Sequence, residues 1–365
     1  MLPSKYPLVI AVLLILFSAA CEIEKTEYER FPEELSFHGF SGNFILHNQS
    51  ISYYSPEVNK IYPNIYSYQN GQPIGNGIHS FYVGKFSGPG LITYQIDSKV
   101  EFIDMVHLLS EGVLELENPR NIFDLRGHLL VSFGDNNTGG IAIIDDNERK
   151  IAKALNTGIE AGKVYRNRDE NYLYVFSNGY LVSDSIIEKF YYEQGSPASL
   201  HKLDSFIIGV RPVDFVEMSI YYDDYSHAGL AILCKGDEIH PASIVLFDMI
   251  TEEVAHSYPF ASTSILPENL FWIPFYHSWE YEDPSRKVLA SYANDNLFSL
   301  NLSNPVEMSV LINRNISELL LVDEYLLGVL RDTSGTESYL YRFDRTTLNL
   351  VDSVSIPPRA LKLVK

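Results

Sequence analysis

The 365-residue chain has only two cysteines, Cys21 and Cys234, and two tryptophans, and its longest apolar run is the thirteen residues Leu8 to Ala20. Two cysteines leave room for at most one disulfide, so this is no disulfide-stapled scaffold. As a helix rising about 1.5 Å per residue, thirteen residues span roughly 20 Å, short of the ~30 Å of a bilayer core. Positive charge is scarce too, with 27 Lys and Arg against 47 Asp and Glu for a net charge of -20. Phosphate backbones are held by neutralising cations, so nucleic acid is excluded as a partner, and an anionic membrane surface would repel the chain. Signatures of familiar chemistry are missing as well: there is no GxSxG, HExxH, paired-cysteine or calcium-loop spacing. Long amphipathic helix patterns with caps are absent, which argues against an α/β enzyme fold. What is present is 46% apolar and 13% aromatic residues, 25 of them Tyr, the composition of a well-packed globular chain.

The first residues carry Lys5 and Pro7 ahead of the apolar run, which ends in Ser18, Ala19 and Ala20 directly before Cys21. A charged start followed by an apolar stretch of this length reads as a secretory leader. Cys21 is then a reactive thiol, half of a pair with Cys234, or a processing site. Small residues before a cysteine resemble the lipobox of bacterial lipoproteins, and that resemblance implies cleavage before Cys21 and acylation of its thiol. The alternative is a plain secretory signal followed by a chance cysteine. The division expected is a lipoprotein signal peptide over 1–20, an acidic tether over 21–36 and one domain over 37–365. Cys234 lies in the run AGLAILCKG and reads as a small hydrophobe in a buried strand.

Across the domain one pattern recurs: an alternating apolar run, a polar residue, a five-residue turn, then a second apolar stretch. Ser55, Asp97, Asp145, Asp184, Asp248 and Asp344 occupy the polar position, with a looser copy at Asn301. Ile61, Ile103, Ile151, Phe190, Val254 and Leu350 follow six residues later. Each copy is a hairpin whose Asp caps the turn, and each is preceded by a further strand such as HLLVSFGD or YLLGVLRD. Four strands per unit at spacings of about 39 to 64 residues predict an all-β, single β-propeller of seven four-stranded blades, six or eight being the alternatives. The uneven spacing places insertions around residues 194–225 and 262–284.

The leader, the acidic tether and these "strand, Asp, turn, strand" hairpins resemble the propeller lipoproteins of Bacteroidetes, including a family of unknown function of this length. The segment NPRNIFDLRGHLLVSFGD is similar to the Pro-Arg feature that precedes the inner strand in YncE-like and NHL-like propellers. The resemblance implies a fold and no reaction.

Candidate ligand-binding residues fall into two groups. Arg120, Arg211 and Arg314 each precede a presumed inner strand, where three guanidinium groups would hold an anion or pair with the abundant carboxylates. Trp272, Tyr276, His277 and Trp279, with Tyr222, Asp223 and His227, combine aromatic faces with acidic edges, which suits a sugar or a peptide side chain; the competing role is to seal gaps between blades. Asp223/Asp224 and Glu280/Glu282 are the carboxylate pairs available for glycoside cleavage, which needs carboxyls ~5 to 9.5 Å apart. His227, His240, His277 and Asp237 lack metal-ligand spacing, and SLHK (199–202) matches Ser-x-x-Lys by chance. No catalytic residue, metal or cofactor is assigned. The expectation is a lipid-anchored, non-enzymatic propeller held on a bacterial membrane, at the periplasmic or surface face of the cell envelope, that binds a protein partner or glycan. The alternative is a propeller hydrolase or lyase acting on an envelope or extracellular carbohydrate.

Overall fold

In a computed structural model, which describes residues 43–364 apart from interruptions, the longest of them 275–286, strands pair into seven four-stranded antiparallel sheets. Six are sequential meanders, and each meets the next along the chain. The seventh is a composite. Its strands Asn43–His47, Ser50–Ser55 and Lys60–Tyr62 open the described chain, and Ala360–Val364 from its far end pairs with Asn43–His47 as the innermost strand. That pairing closes the ring into a single β-propeller of seven blades, numbered here from the composite one.

Burial follows position within a blade. The middle strands of blade 2, Gly90–Tyr94 and Lys99–Asp104, are buried along nearly all their length, whereas the outermost, Leu109–Glu115, alternates between exposed and half-buried. A middle strand has a neighbouring blade on each face and so reads as a continuous apolar run; an outer strand has solvent on one. Among the described residues, six apolar clusters accordingly lie in seams between blades. Leu91, Val100 and Phe102 of blade 2, for example, pack with Leu129, Val131 and Ile144 of blade 3. The seam between blades 6 and 7 has a hydrogen bond from Asn269 Nδ2 to Glu318 Oε2 at 3.3 Å. In every blade the register slips between the innermost strand and the next. Bulges of this kind raise local twist, which lets a flat ribbon become a propeller blade.

Two expectations about the repeat are corrected. Asp97 lies between the second and third strands of blade 2, Gly90–Tyr94 and Lys99–Asp104, whereas Asp145, Asp248 and Asp344 lie between third and fourth strands; Asp184 lies outside the described residues. In blade 2 the equivalent of Asp145 is Asp104, whose Oδ1 accepts the Val106 N–H at 2.9 Å. Both hairpins of a blade alternate in the same way, so the pattern matched either. Residues 194–225 hold no insertion: they are the twelve-residue outer strand of blade 4, Ser196–Ile207, and the ten-residue inner strand of blade 5, Pro212–Tyr221. The second supposed insertion contains the inner strand of blade 6, Pro267–Pro274.

Candidate functional site

Blade 5 gathers the densest polar and aromatic cluster. Its inner strand ends at Tyr221 and its second strand begins at Ser226, and the Tyr222 N–H donates to the Tyr225 carbonyl across the connection at 2.8 Å. The third strand ends at Asp248, so the antiparallel meander brings this residue to the same end of the blade as Tyr222 and His227. The Asp248 carboxylate is fully buried. Its Oδ2 accepts hydrogen bonds from Tyr222 Oη and His227 Nδ1, both at 2.6 Å, while Oδ1 accepts the Ile250 and Thr251 backbone N–H groups at 2.8 and 3.1 Å. Burial opposes the charge on Asp248, but these four donors outweigh it and hold its pKa at about 2. The same bond, with burial, pushes the Tyr222 phenol up to about 12. An ionised carboxylate only accepts, so Nδ1 of His227 carries the proton in this bond.

Above this anchor the rings form a platform. Tyr222 and Tyr225 stack with centroids 4.9 Å apart and planes 25° from parallel, and Tyr225 also lies 4.9 Å from the His227 ring. Tyr221 and Tyr225 are 52% and 57% exposed, which leaves apolar ring surface in contact with solvent.

A second feature lies along the ring's axis. A cavity of about 620 Å³ is bounded by the inner strands of blades 2 to 5 and lined by Phe123, Tyr165 and Phe215 with three charged residues, Asp124, Arg166 and Glu217. These three occupy the sixth position of successive inner strands, Pro119–Leu125, Ala161–Asn167 and Pro212–Tyr221. That position lies toward the end where first strands turn into second strands, the end that also carries the blade 5 platform.

Of the residues expected to bind a ligand, Tyr222 and His227 are brought together on Asp248. Arg120 and Arg211 lie at the opposite end, where the chain enters an inner strand. Arg120 is 3% exposed; its Nη2 donates to the Gly134 carbonyl at 3.3 Å and its own carbonyl accepts from Thr93 Oγ1 at 2.6 Å, so it sits in the seam between blades 2 and 3. Arg211 has a left-handed backbone, φ 58°, and its carbonyl accepts the Lys235 N–H. The backbone of Trp272 lies in the inner strand of blade 6 opposite Leu289. Asp223, Tyr276, His277, Trp279 and Arg314 lie outside the described residues, as does Cys21.

The other sequence candidates have structural explanations. Asp237 accepts the Ile239 and His240 N–H groups and the His240 ring at 2.6 to 3.0 Å, closing the loop between the second and third strands of blade 5. Gly236 in that loop has φ +70°, and a Cβ there would meet the His240 carbonyl at 2.3 Å. Lys202 of SLHK is paired with buried Glu188 on the adjacent strand. Cys234 is a free, buried thiol whose pKa burial pushes up to about 12. Among the described residues no group of three or more His, Cys, Asp or Glu is placed to hold a metal, and no helix is long and apolar enough to cross a membrane.

Sequence reading missed Asp124, Arg166 and Glu217. A signal was available: NIFDL, KVYRN and DFVEM align as inner strands with a charge three residues after a polar residue.

No family model matches the chain, and no curated protein sequence matches it. Solved structures do match. A functionally unknown protein from Desulfotomaculum acetoxidans is 12% identical with a TM-score of 0.60, over 89% of this chain and 98% of that one. A putative 6-phosphogluconolactonase from Bacteroides uniformis is 10% identical with a TM-score of 0.59, over 89% and 99%. A quinonprotein alcohol dehydrogenase-like protein from Bacteroides thetaiotaomicron is 14% identical with a TM-score of 0.58, over 89% and 78%. At these identities the likeness is one of fold.

Proposed function

We propose that the protein is a non-enzymatic binding propeller, tied to a bacterial envelope membrane by a lipid on Cys21, and that the blade 5 rim receives a glycan or a protein partner. The observation that carries the binding role is the platform of Tyr222, Tyr225 and His227 set on Asp248. Two of its rings, Tyr222 and His227, are held in orientation by a buried carboxylate, the third, Tyr225, packs against both, and Tyr225 and the adjacent Tyr221 are more than half exposed. Pre-oriented aromatic surface costs little side-chain entropy when a ligand covers it. Asp248 is a poor general acid, since its pKa of about 2 keeps it ionised at neutral pH and both its oxygens are engaged, one by Tyr222 and His227 and the other by the turn's N–H groups. That favours recognition over carbohydrate cleavage.

Tyr225→Ala, which removes a stacking face and leaves the Asp248 bonds intact, should lower retention on an envelope-glycan array or on a partner captured from an outer-membrane fraction by roughly tenfold or more. Unchanged retention would remove the platform from consideration. For the anchor, wild-type protein should incorporate labelled palmitate and sediment with membranes, and Cys21→Ser should do neither. A Cys21→Ser protein that still sediments would overturn the lipid anchor.

A further inference from the structure

The wall of the axial cavity carries one cation that the chain leaves unanswered. Arg166 lines it from the blade 4 inner strand, half-buried, and no hydrogen bond or ion pair of its side chain is found among the described residues. Asp124 and Glu217 hold the same position in the inner strands on either side, yet neither pairs with Arg166; each interacts with other groups of the chain. A guanidinium stays charged at any physiological pH, and carboxylates outnumber cations here by 47 to 27. An arginine that takes none of them keeps its donors for something that enters the cavity. The wall around it is largely apolar, with the rings of Phe123, Tyr165 and Phe215 and the side chains of Leu130, Val164 and Leu173. Tyr165 and Phe215 meet edge to face, centroids 5.5 Å apart and planes at 77°, so the π surface is held by its own packing. One charged group among rings and aliphatics is the pattern of a small-molecule site, in which the rings bury the body of the ligand and the charge orients it.

Charge and shape narrow the ligand. A phosphate or other multiply charged anion would meet a single cation inside a chain of net charge -20, whose field opposes its entry. A cationic or neutral ligand would cover the guanidinium without supplying a charged acceptor, at a desolvation cost. One carboxylate answers one guanidinium, which donates two parallel N–H bonds to it. We propose that the cavity binds an aromatic monocarboxylate, its carboxylate on Arg166 and its ring against Phe123, Tyr165 and Phe215. The cavity of about 620 Å³ admits an acid of one or two rings. This site is separate from the blade 5 platform.

Isothermal titration of the folded protein with phenylacetate, 3-phenylpropionate and indole-3-acetate tests the assignment. At least one of these acids should bind. Its primary amide, which keeps the ring and loses the charge, should bind roughly tenfold or more weakly, and so should acetate, which keeps the charge and loses the ring. Inorganic phosphate should give no binding heat. Arg166→Gln should bring the acid down to the affinity of its amide while leaving the amide as it binds to wild type, an outcome that general loss of structure would not give. Tyr225→Ala should leave the binding of the acid intact. The assignment is overturned if none of the three acids binds, if the amide or acetate binds as tightly as the acid, if phosphate binds more tightly than the acids, or if Arg166→Gln keeps the preference for acid over amide.

Discussion

Asp248 shows how one side chain serves both a turn and a surface. In the sequence it is one of a series of turn aspartates, and its bonds to the Ile250 and Thr251 N–H groups fulfil that role. Its other oxygen organises Tyr222 and His227, 26 and 21 residues away, a link invisible without knowing which strand ends meet. Its folded pKa of about 2 lies below the 3.8 of an ordinary aspartate. The carboxylate therefore contributes stability above about pH 4 that is lost as pH falls from there toward 2, by about 2 kcal/mol. The urea midpoint should hold level from pH 7 to 5 and drop below pH 4, and Asp248→Asn should lower the midpoint at pH 7 and flatten the drop. Asp104 and Asp237, also lowered, act in the same direction. Tyr222 and His227 were legible as candidates because aromatics crowd YYDDYSHAG. Asp124, Arg166 and Glu217 were not, because a lone charge in an alternating strand looks like the ordinary solvent face of a sheet.

Blades are joined by polar ties as well as apolar seams, and Asp214 is the clearest. It is 2% exposed near the start of the blade 5 inner strand. One oxygen takes Lys163 Nζ of blade 4 at 2.6 Å and the other takes the Leu270 N–H of blade 6 at 2.9 Å, so a single carboxylate spans three blades. Asp214→Ala would strand a buried N–H and free a partly buried ammonium; a loss of about 3 kcal/mol is expected in denaturant unfolding. Lys163→Ala should cost less, since Lys163 is 35% exposed and the two backbone N–H donors to Asp214 remain. At this scale the sequence was informative about type and count: alternating runs with polar turns gave four-stranded units and seven of them. Phase was lost because second-to-third and third-to-fourth hairpins share one pattern, which moved Asp97 into the wrong turn. Length was misread because the outer strand of blade 4 and the inner strand of blade 5 are long, at twelve and ten residues. Bulges left no mark in the sequence, since a register slip changes pairing and not composition.

For the whole molecule the decisive feature is the composite blade. Removing residues 358–365, and with them the strand Ala360–Val364, would leave Asn43–His47 as an unpaired inner edge and open the contact with blade 7 made by Ile316–Val322. The truncated chain should lose cooperative unfolding and become sensitive to limited proteolysis within blades 1 and 7, read by mass spectrometry of the fragments, while the interior blades 3 to 5 resist longest. The same arrangement sets a timetable for biosynthesis. Asn43 emerges 317 residues before Ala360, and at about 5 to 20 residues per second the first blade waits roughly 15 to 65 seconds for its last strand. Until then the nascent chain is an open arc with an unpaired edge on Asn43–His47, so the ring closes only once Ala360–Val364 has been made. The clasp that makes the propeller durable is thus the latest-made part of its first blade, and everything between its two halves must be in place before the ring can shut.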